Sequence, residues 1–212
     1  MRKLRLKDLL STFLLYTFAT HASANLVVNG DFEGGDQDFL TDYTLGIGVT
    51  AQRYNVTTDP RLYHGGATSY GDNTSGSGNM MAVNGPTVAN QMVWGQEVSI
   101  ASNTDYEFSI WVSSWISGAP ANLTFDLGGM SLGSVIAPLP TAIWEQYSVI
   151  FNSGATSGSV LLSIVDTTLA FGGNDFALDD ISLTAVPVPA AVWLFGSGLL
   201  GMIGVARRNR AA

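Results

Sequence analysis

Four acidic residues sit in two short motifs near opposite ends of the chain: Asp31 and Glu33 in "NGDFEGG", and Asp179 and Asp180 in "LDD". Carboxylates beside turn carbonyls are the ligands of a hard cation such as calcium (Ca2+), which takes about six to eight oxygens. In a regular strand neighbouring side chains point to opposite faces, so at most one of Asp179 and Asp180 is expected to reach an ion. Glu33 and Asp180 are the favoured ligands, with Asp31 and Asp179 as substitutes. A second chemistry, the stacking of sugar faces on aromatic rings, is offered by "YEFSIWVSSW". Tyr106, Phe108, Ile110 and Val112 fall on one face of that strand, and Glu107, Ser109, Trp111, Ser113 and Trp115 on the other. Large rings among serines, opposite an apolar face, mark a contact surface. Trp111 and Trp115 are the candidate platforms and Glu107 their polar neighbour. Asn122 and Asp126 of "NLTFDL" are expected to continue the surface on an adjacent strand.

Catalysis is poorly served by comparison. Beyond residue 24 there is one histidine, His64, in a glycine-rich turn, and there is no cysteine anywhere. A Ser-His-Asp arrangement would depend on His64, and a two-histidine metal site is excluded. A glycosidase needs two carboxylates facing each other across a cleft, but a chain with this many acids always offers pairs. The expectation is a non-enzymatic protein.

The charges are segregated. Arg2, Lys3, Arg5 and Lys7 open the chain and Arg207, Arg208 and Arg210 close it. Between them Arg53 and Arg61 stand against 16 acids, so the middle carries about −14, against −8 for the whole chain. Such a surface repels nucleic-acid phosphate and attracts cations. No DNA or RNA partner is expected.

Both ends read as targeting segments. "MRKLRLK", the apolar "LLSTFLLYTFAT" and "ASA" have the order of a secretory signal peptide, residues 1–24, with cleavage after Ala24. At the other end no charge interrupts Ala185 to Ala206. Pro187 and Pro189 keep the first residues out of a regular helix. A helix over 190–206 would be about 25 Å long, the lower limit for a bilayer span. The arginines at 207–210 would stop it on the cytoplasmic side, leaving the domain outside.

Residues 25–184 read as strands. The pattern has period two, and turn signals such as "HGG", "SGSGN" and "NSGATSG" cut it into short pieces. Beside the two strands above, "QYSVIF", "GSVLLSIVD" and "DFALDDISL" are strands. Others are expected near Leu26–Val28, Val49–Arg53, Met80–Val83 and Trp94–Ile100. Eight or so antiparallel strands at this spacing make an all-β fold, an antiparallel β-sandwich of jelly-roll type.

Two resemblances add to this reading. The tail "VPVPAAVWLFGSGLLGMIGVARRNR" resembles the PEP-CTERM sorting signal of Gram-negative, exopolysaccharide-producing bacteria. In that family a short proline motif, here Val186-Pro187-Val188-Pro189, precedes a transmembrane helix and an arginine cluster, here led by Arg207 and Arg208. The usual motif has glutamate where this chain has Val188. The resemblance implies reading by an exosortase-type membrane protease, transient anchoring by the C-terminal helix, and release to the cell surface or an extracellular matrix. "NLVVNGDFEGG" and "FALDDISL", with "HGGATS", "VWGQEVSI", "NTDYEFSIWV" and "IWEQYSVIF" in order between them, resemble carbohydrate-binding modules of the galactose-binding-like fold. That resemblance implies a two-sheet sandwich whose first and last segments are neighbours. It also implies a structural calcium ion and a glycan partner, such as an exopolysaccharide of a biofilm, on a sheet face or at the loop tips. The rival expectations are a calcium-bridged surface protein without a saccharide site, and a small polysaccharide hydrolase.

Overall fold

In a computed structural model the described residues are 23–170 and 172–187. The expected signal peptide up to residue 22, the helix over 190–206, and Val188, Pro189, Arg207 and Arg208 of the sorting tail lie outside them. Among the described residues no helix is long and apolar enough to cross a membrane.

Residues 23–186 form one compact unit built from two sheets. The first contains β1 (Thr44–Leu45), β2 (Arg53–Thr57), β3 (Met80–Asn84), β10 (Phe176–Ala185), β5 (Asp105–Ser114) and β8 (Glu145–Asn152), in that order. The second contains β4 (Met92–Ile100), β9 (Gly158–Asp166), β6 (Asn122–Leu127) and β7 (Met130–Ile136). Neighbours are antiparallel except β1 and β2, which are parallel. The period-two pattern explains the layers. Phe108, Ile110 and Val112 of β5, Leu123, Phe125 and Leu127 of β6, and Leu162 and Ile164 of β9 are all buried in one core with Trp94 and Phe176. The β6–β7 hairpin turns on Gly128 and Gly129, both at positive φ, where a Cβ would be strained.

Three sequence readings change here. Leu26–Val28 is not a strand. It nevertheless runs beside β10, with Leu26 N donating to Leu183 O at 2.8 Å and Ile181 N to Gly30 O at 2.9 Å. The approach is close enough that a Cβ on Gly30 would lie 2.1 Å from Ile181 O. The strand expected at Val49–Arg53 starts only at Arg53, and β7 was not foreseen. The joining of first and last segments closes the core within 23–186, so this unit has what it needs to fold by itself.

Part of the outer face of the larger sheet is covered. Residues 59–79 hold the short helix α1 (Pro60–Tyr63) and then a polar loop that crosses this face as a strap. Beneath it Tyr63 and Ala67 pack on Met80, Ala82, Trp115 and Ala177, a second apolar cluster separate from the main core.

Candidate functional site

The strap is fastened to the sheet by aromatic side chains. Trp115 is fully buried. Its ring meets Tyr63 edge-on at 6.0 Å and lies 5.2 Å from His64. Its Nε1 donates to Phe176 O at 2.6 Å, and its carbonyl accepts from Thr68 N at 2.9 Å. Trp144 donates from Nε1 to Gly71 O at 3.1 Å and meets Tyr70 edge-on. Trp115, expected on a strand face with Trp111, lies just past the end of β5, packed on Met80, Ala82 and Ala177 and fully buried beneath the strap, so it offers no platform to a ligand.

Carboxylates fasten the far end of the strap. Asp179 Oδ2 accepts from Asn73 N at 2.8 Å and Thr74 N at 3.3 Å. Asp180 accepts from Asn73 Nδ2 at 2.8 Å and Thr74 Oγ1 at 2.7 Å. Both carboxylates therefore reach the same loop, against the expectation from simple alternation. The cause is a β-bulge between Asp179 and Ser182, with Asp180 at φ 48°. The inward residues of β10 switch across it from Phe176 and Leu178 to Ile181 and Leu183, which leaves two consecutive residues free to face the strap.

Glu33 joins from the N-terminal side, its Oε1 accepting from Asn79 N at 2.7 Å. Asp72, which sequence reading missed, is buried inside the strap. It accepts from Ser75 N at 2.8 Å, Gly78 N at 2.7 Å and Ser75 Oγ at 3.1 Å. Burial alone would push its pKa up, but the N–H groups of Ser75, Gly78 and Ser77 and the Ser75 hydroxyl hold it below the usual carboxylate range. Glu33 and Asp72 meet over Gly78, where a Cβ would sit 2.1 Å from Glu33 Oε1 and 3.1 Å from Asp72 Oδ2. Asp179 differs: burial first, then the Asp180 charge, push its carboxyl up to about 7 despite the strap N–H groups. Asp31 is exposed; its Oδ1 accepts from Glu33 N at 3.3 Å, and it shares a small cleft with Asn25, Asn29 and Asp180. The donor set is oxygen only, which suits a hard cation. Among the described residues no three acidic or histidine side chains converge as a ready-made ligand cage, and strap N–H and hydroxyl groups bond to Glu33, Asp72, Asp179 and Asp180.

The uncovered part of the same face is a polar strip. Half-buried Trp111 pairs across to Gln146 on β8, Ser109 to Ser148, and Glu107 to Ile150. On the β10 side Ser109 faces Ser182 and Glu107 faces Thr184. Glu107 Oε1 accepts from Ser148 Oγ at 2.7 Å, and Ile150 is 64% exposed. A half-buried indole, an exposed isoleucine and a row of hydroxyls beside a carboxylate offer apolar and hydrogen-bonding contacts together.

Asn122 and Asp126 do not extend this strip. They sit on β6 of the other sheet, on the opposite outer surface of the sandwich, and the expected continuous face does not exist. Chain neighbours β5 and β6 cross from one sheet to the other, which period-two reading cannot reveal. Asp126 instead serves its hairpin, its Oδ1 accepting from Gly129 N at 2.7 Å. His64 uses its Nδ1 to accept from Gly66 N at 3.1 Å.

Residues 185–210 match the PEP-CTERM protein-sorting motif, so the tail carries that motif beginning at the last residue of β10. No curated protein matches the chain. Among solved structures, the CBM22-1 xylan-binding domain from Paenibacillus barcinonensis Xyn10C is 17% identical with a TM-score of 0.50, covering 79% of this chain and 97% of that one. The CBM22-1–GH10 modules of Clostridium thermocellum xylanase 10B, solved with xylohexaose, are 13% identical with a TM-score of 0.53, covering 78% of this chain and 29% of that one. The Stig cyclase Fisc from Fischerella sp. TAU is 12% identical with a TM-score of 0.54, covering 79% and 100%. The chain also spans 21% of a bacteriophage CBA120 tailspike protein. At these identities the likeness is one of fold, and the neighbours are mainly carbohydrate-binding modules.

Proposed function

We propose that the chain is an exported, non-enzymatic surface or matrix protein that binds a glycan on the open strip of its larger sheet. Its C-terminal tail is read by an exosortase-type protease, after transient membrane anchoring. The observation that carries this reading is the junction at Ala185: a sandwich shared in fold with xylan-binding modules runs directly into a matched sorting motif. Trp111 would stack on the sugar, with Glu107, Ser109 and Ser148 as hydrogen-bond partners. Glu33, Asp72, Asp179 and Asp180 would hold a structural calcium ion that pins the strap, with Asp31 at the margin. The cation requires the strap to exchange some of its N–H contacts for metal contacts. The Fisc cyclase shows that this fold also serves an enzyme, but here the one histidine of the unit leans on a buried indole and bonds its own turn.

Retention of residues 23–187 on the exopolysaccharide of the producing bacterium tests the binding half. Retention that falls at least tenfold in Trp111→Ala supports it. Equal retention moves the site elsewhere. Absence of retention, together with calcium-dependent self-association, supports instead a purely structural surface protein, a reading favoured by the surplus of 16 acids over two basic residues in this unit.

A further inference from the structure

A second group of buried oxygens, none of them on the strap, gathers where β9 ends and β10 begins. Asp166 closes β9 and is fully buried. Its Oδ1 accepts from Asn122 N at 3.1 Å and Thr168 N at 2.9 Å, but its Oδ2 has no partner. Asn174 is buried too, and its Nδ2 donates to Thr168 O at 2.8 Å and Pro86 O at 3.2 Å. Those two bonds fix the amide orientation, so the unpartnered atom is the acceptor Oδ1. Asp175 follows directly, with Oδ1 accepting from Gly85 N at 3.0 Å. Gly85 is pressed so close that a Cβ there would lie 2.2 Å from Asn174 Cγ. Thus the Thr168 backbone ties Asp166 to Asn174, and Gly85 touches both Asn174 and its chain neighbour Asp175, so the three side chains belong to one buried region.

Two phenols border it. Tyr43 is buried with its hydroxyl unpartnered, within electrostatic reach of Asp166 but not bonded to it. The Tyr63 hydroxyl approaches the Asn84 backbone without hydrogen-bond geometry. A cleft of about 240 Å³, lined in part by His64, Asn84, Gly85 and Asp175, reaches the Asp175 side of this region. Buried polar atoms almost always have partners, and each exception asks for one the protein does not supply. Here two of the orphans, Asp166 Oδ2 and Asn174 Oδ1, are pure acceptors, and two of the residues are carboxylates in a site with little cationic compensation.

We propose that this pocket is a second divalent-cation site, of the calcium class, with Asp166, Asn174 and Asp175 as its side-chain ligands. The electrostatics agree with the geometry. Burial pushes the Asp166 carboxyl up to about 7, and the Asp175 charge adds to that rise. Burial raises Asp175 as well, against the pull of the Gly85 N–H and of His64. A cation neutralises both groups at once, whereas water satisfies their hydrogen bonds and leaves the charge repulsion in place. The site shares no ligand with the strap carboxylates, so either can fail without the other.

Calcium titrated by calorimetry into chelator-stripped residues 23–187 at pH 7.5 tests it. The double variant Asp166→Asn with Asp175→Asn should bind one equivalent fewer than the wild type. Glu33→Gln with Asp180→Asn should keep that equivalent. Equal stoichiometry in the wild type and the folded Asp166/Asp175 variant overturns the proposal. A readout that needs no variant is diffraction from wild-type crystals soaked in terbium. An anomalous peak within about 2.6 Å of Asp166 Oδ2 supports the site, and water alone at that position overturns it.

Discussion

Trp111 and Trp115 lie four positions apart, one within β5 and the other just past its end, and their environments assign them opposite roles. Trp115 carries a buried hydrogen bond and holds the strap, so Trp115→Ala should cost about 3–5 kcal/mol, as for other buried aromatic truncations. That corresponds to a fall of roughly 10 °C in the melting temperature of a unit this size. Trp111→Ala should move the melting temperature by only a few degrees while abolishing glycan retention. Thermal melts of the two variants, beside a retention assay, check both halves of the contrast. Gly78 makes a further prediction at this scale. Gly78→Ala places a methyl against Glu33 and Asp72. It should weaken calcium binding by about tenfold or more, measured by calorimetry, with the β-sheet circular dichroism unchanged.

At the scale of the element, the strap and the bulge of β10 act together. The inward alternation of β5, β6 and β9 was legible because every second residue is apolar. The bulge was not, since "FALDDISL" reads as an unbroken strand until the switch from Leu178 to Ile181 is noticed. The strap was legible only as turns: its glycines and serines carry no period, and its hold on the sheet comes from Asp179, Asp180, Trp115 and Trp144, far away in sequence. Asp72 was invisible for the same reason, being one acid among sixteen until the loop folds around it.

Asp166 and Asp179 are raised to about 7 in the folded chain, against about 3.9 for an unfolded aspartate. Their protonated forms therefore favour the fold, and that contribution is complete below about pH 4 and lost as the pH rises through about 7. Asp72, held low, works in the opposite sense and loses its contribution only on acidification below its ordinary range. In chelator the melting temperature of residues 23–187 should be lower at pH 8 than at pH 5.5, by several degrees. Calcium should restore it at pH 8 and do little at pH 5.5, because cation and proton compete for the same oxygens. A melting temperature in chelator that rises from pH 5.5 to pH 8 contradicts the account.

For the whole molecule, the two-sheet class and the junction between sandwich and tail were readable from periodicity and from the residues of "VPVPAAVWLFGSGLLGMIGVARRNR". The distribution of strands between sheets was not, and with it went the expectation that Asn122 and Asp126 lie beside Trp111. Strand pairing is decided by contacts distant in sequence, which the local pattern does not encode. Processing of the tail predicts that protein recovered outside the cells ends near Pro187 or Pro189, as read by mass spectrometry of its C-terminal peptide. Recovery of intact Arg210 would make the tail a lasting anchor.

Glycan binding by the open strip is measured most directly by affinity electrophoresis. Residues 23–187 and the Trp111→Ala variant are run through native gels containing the exopolysaccharide of the producing bacterium. The account predicts strong retardation of the wild type and near-free migration of the variant. Equal mobility of the two, retarded or not, would contradict it.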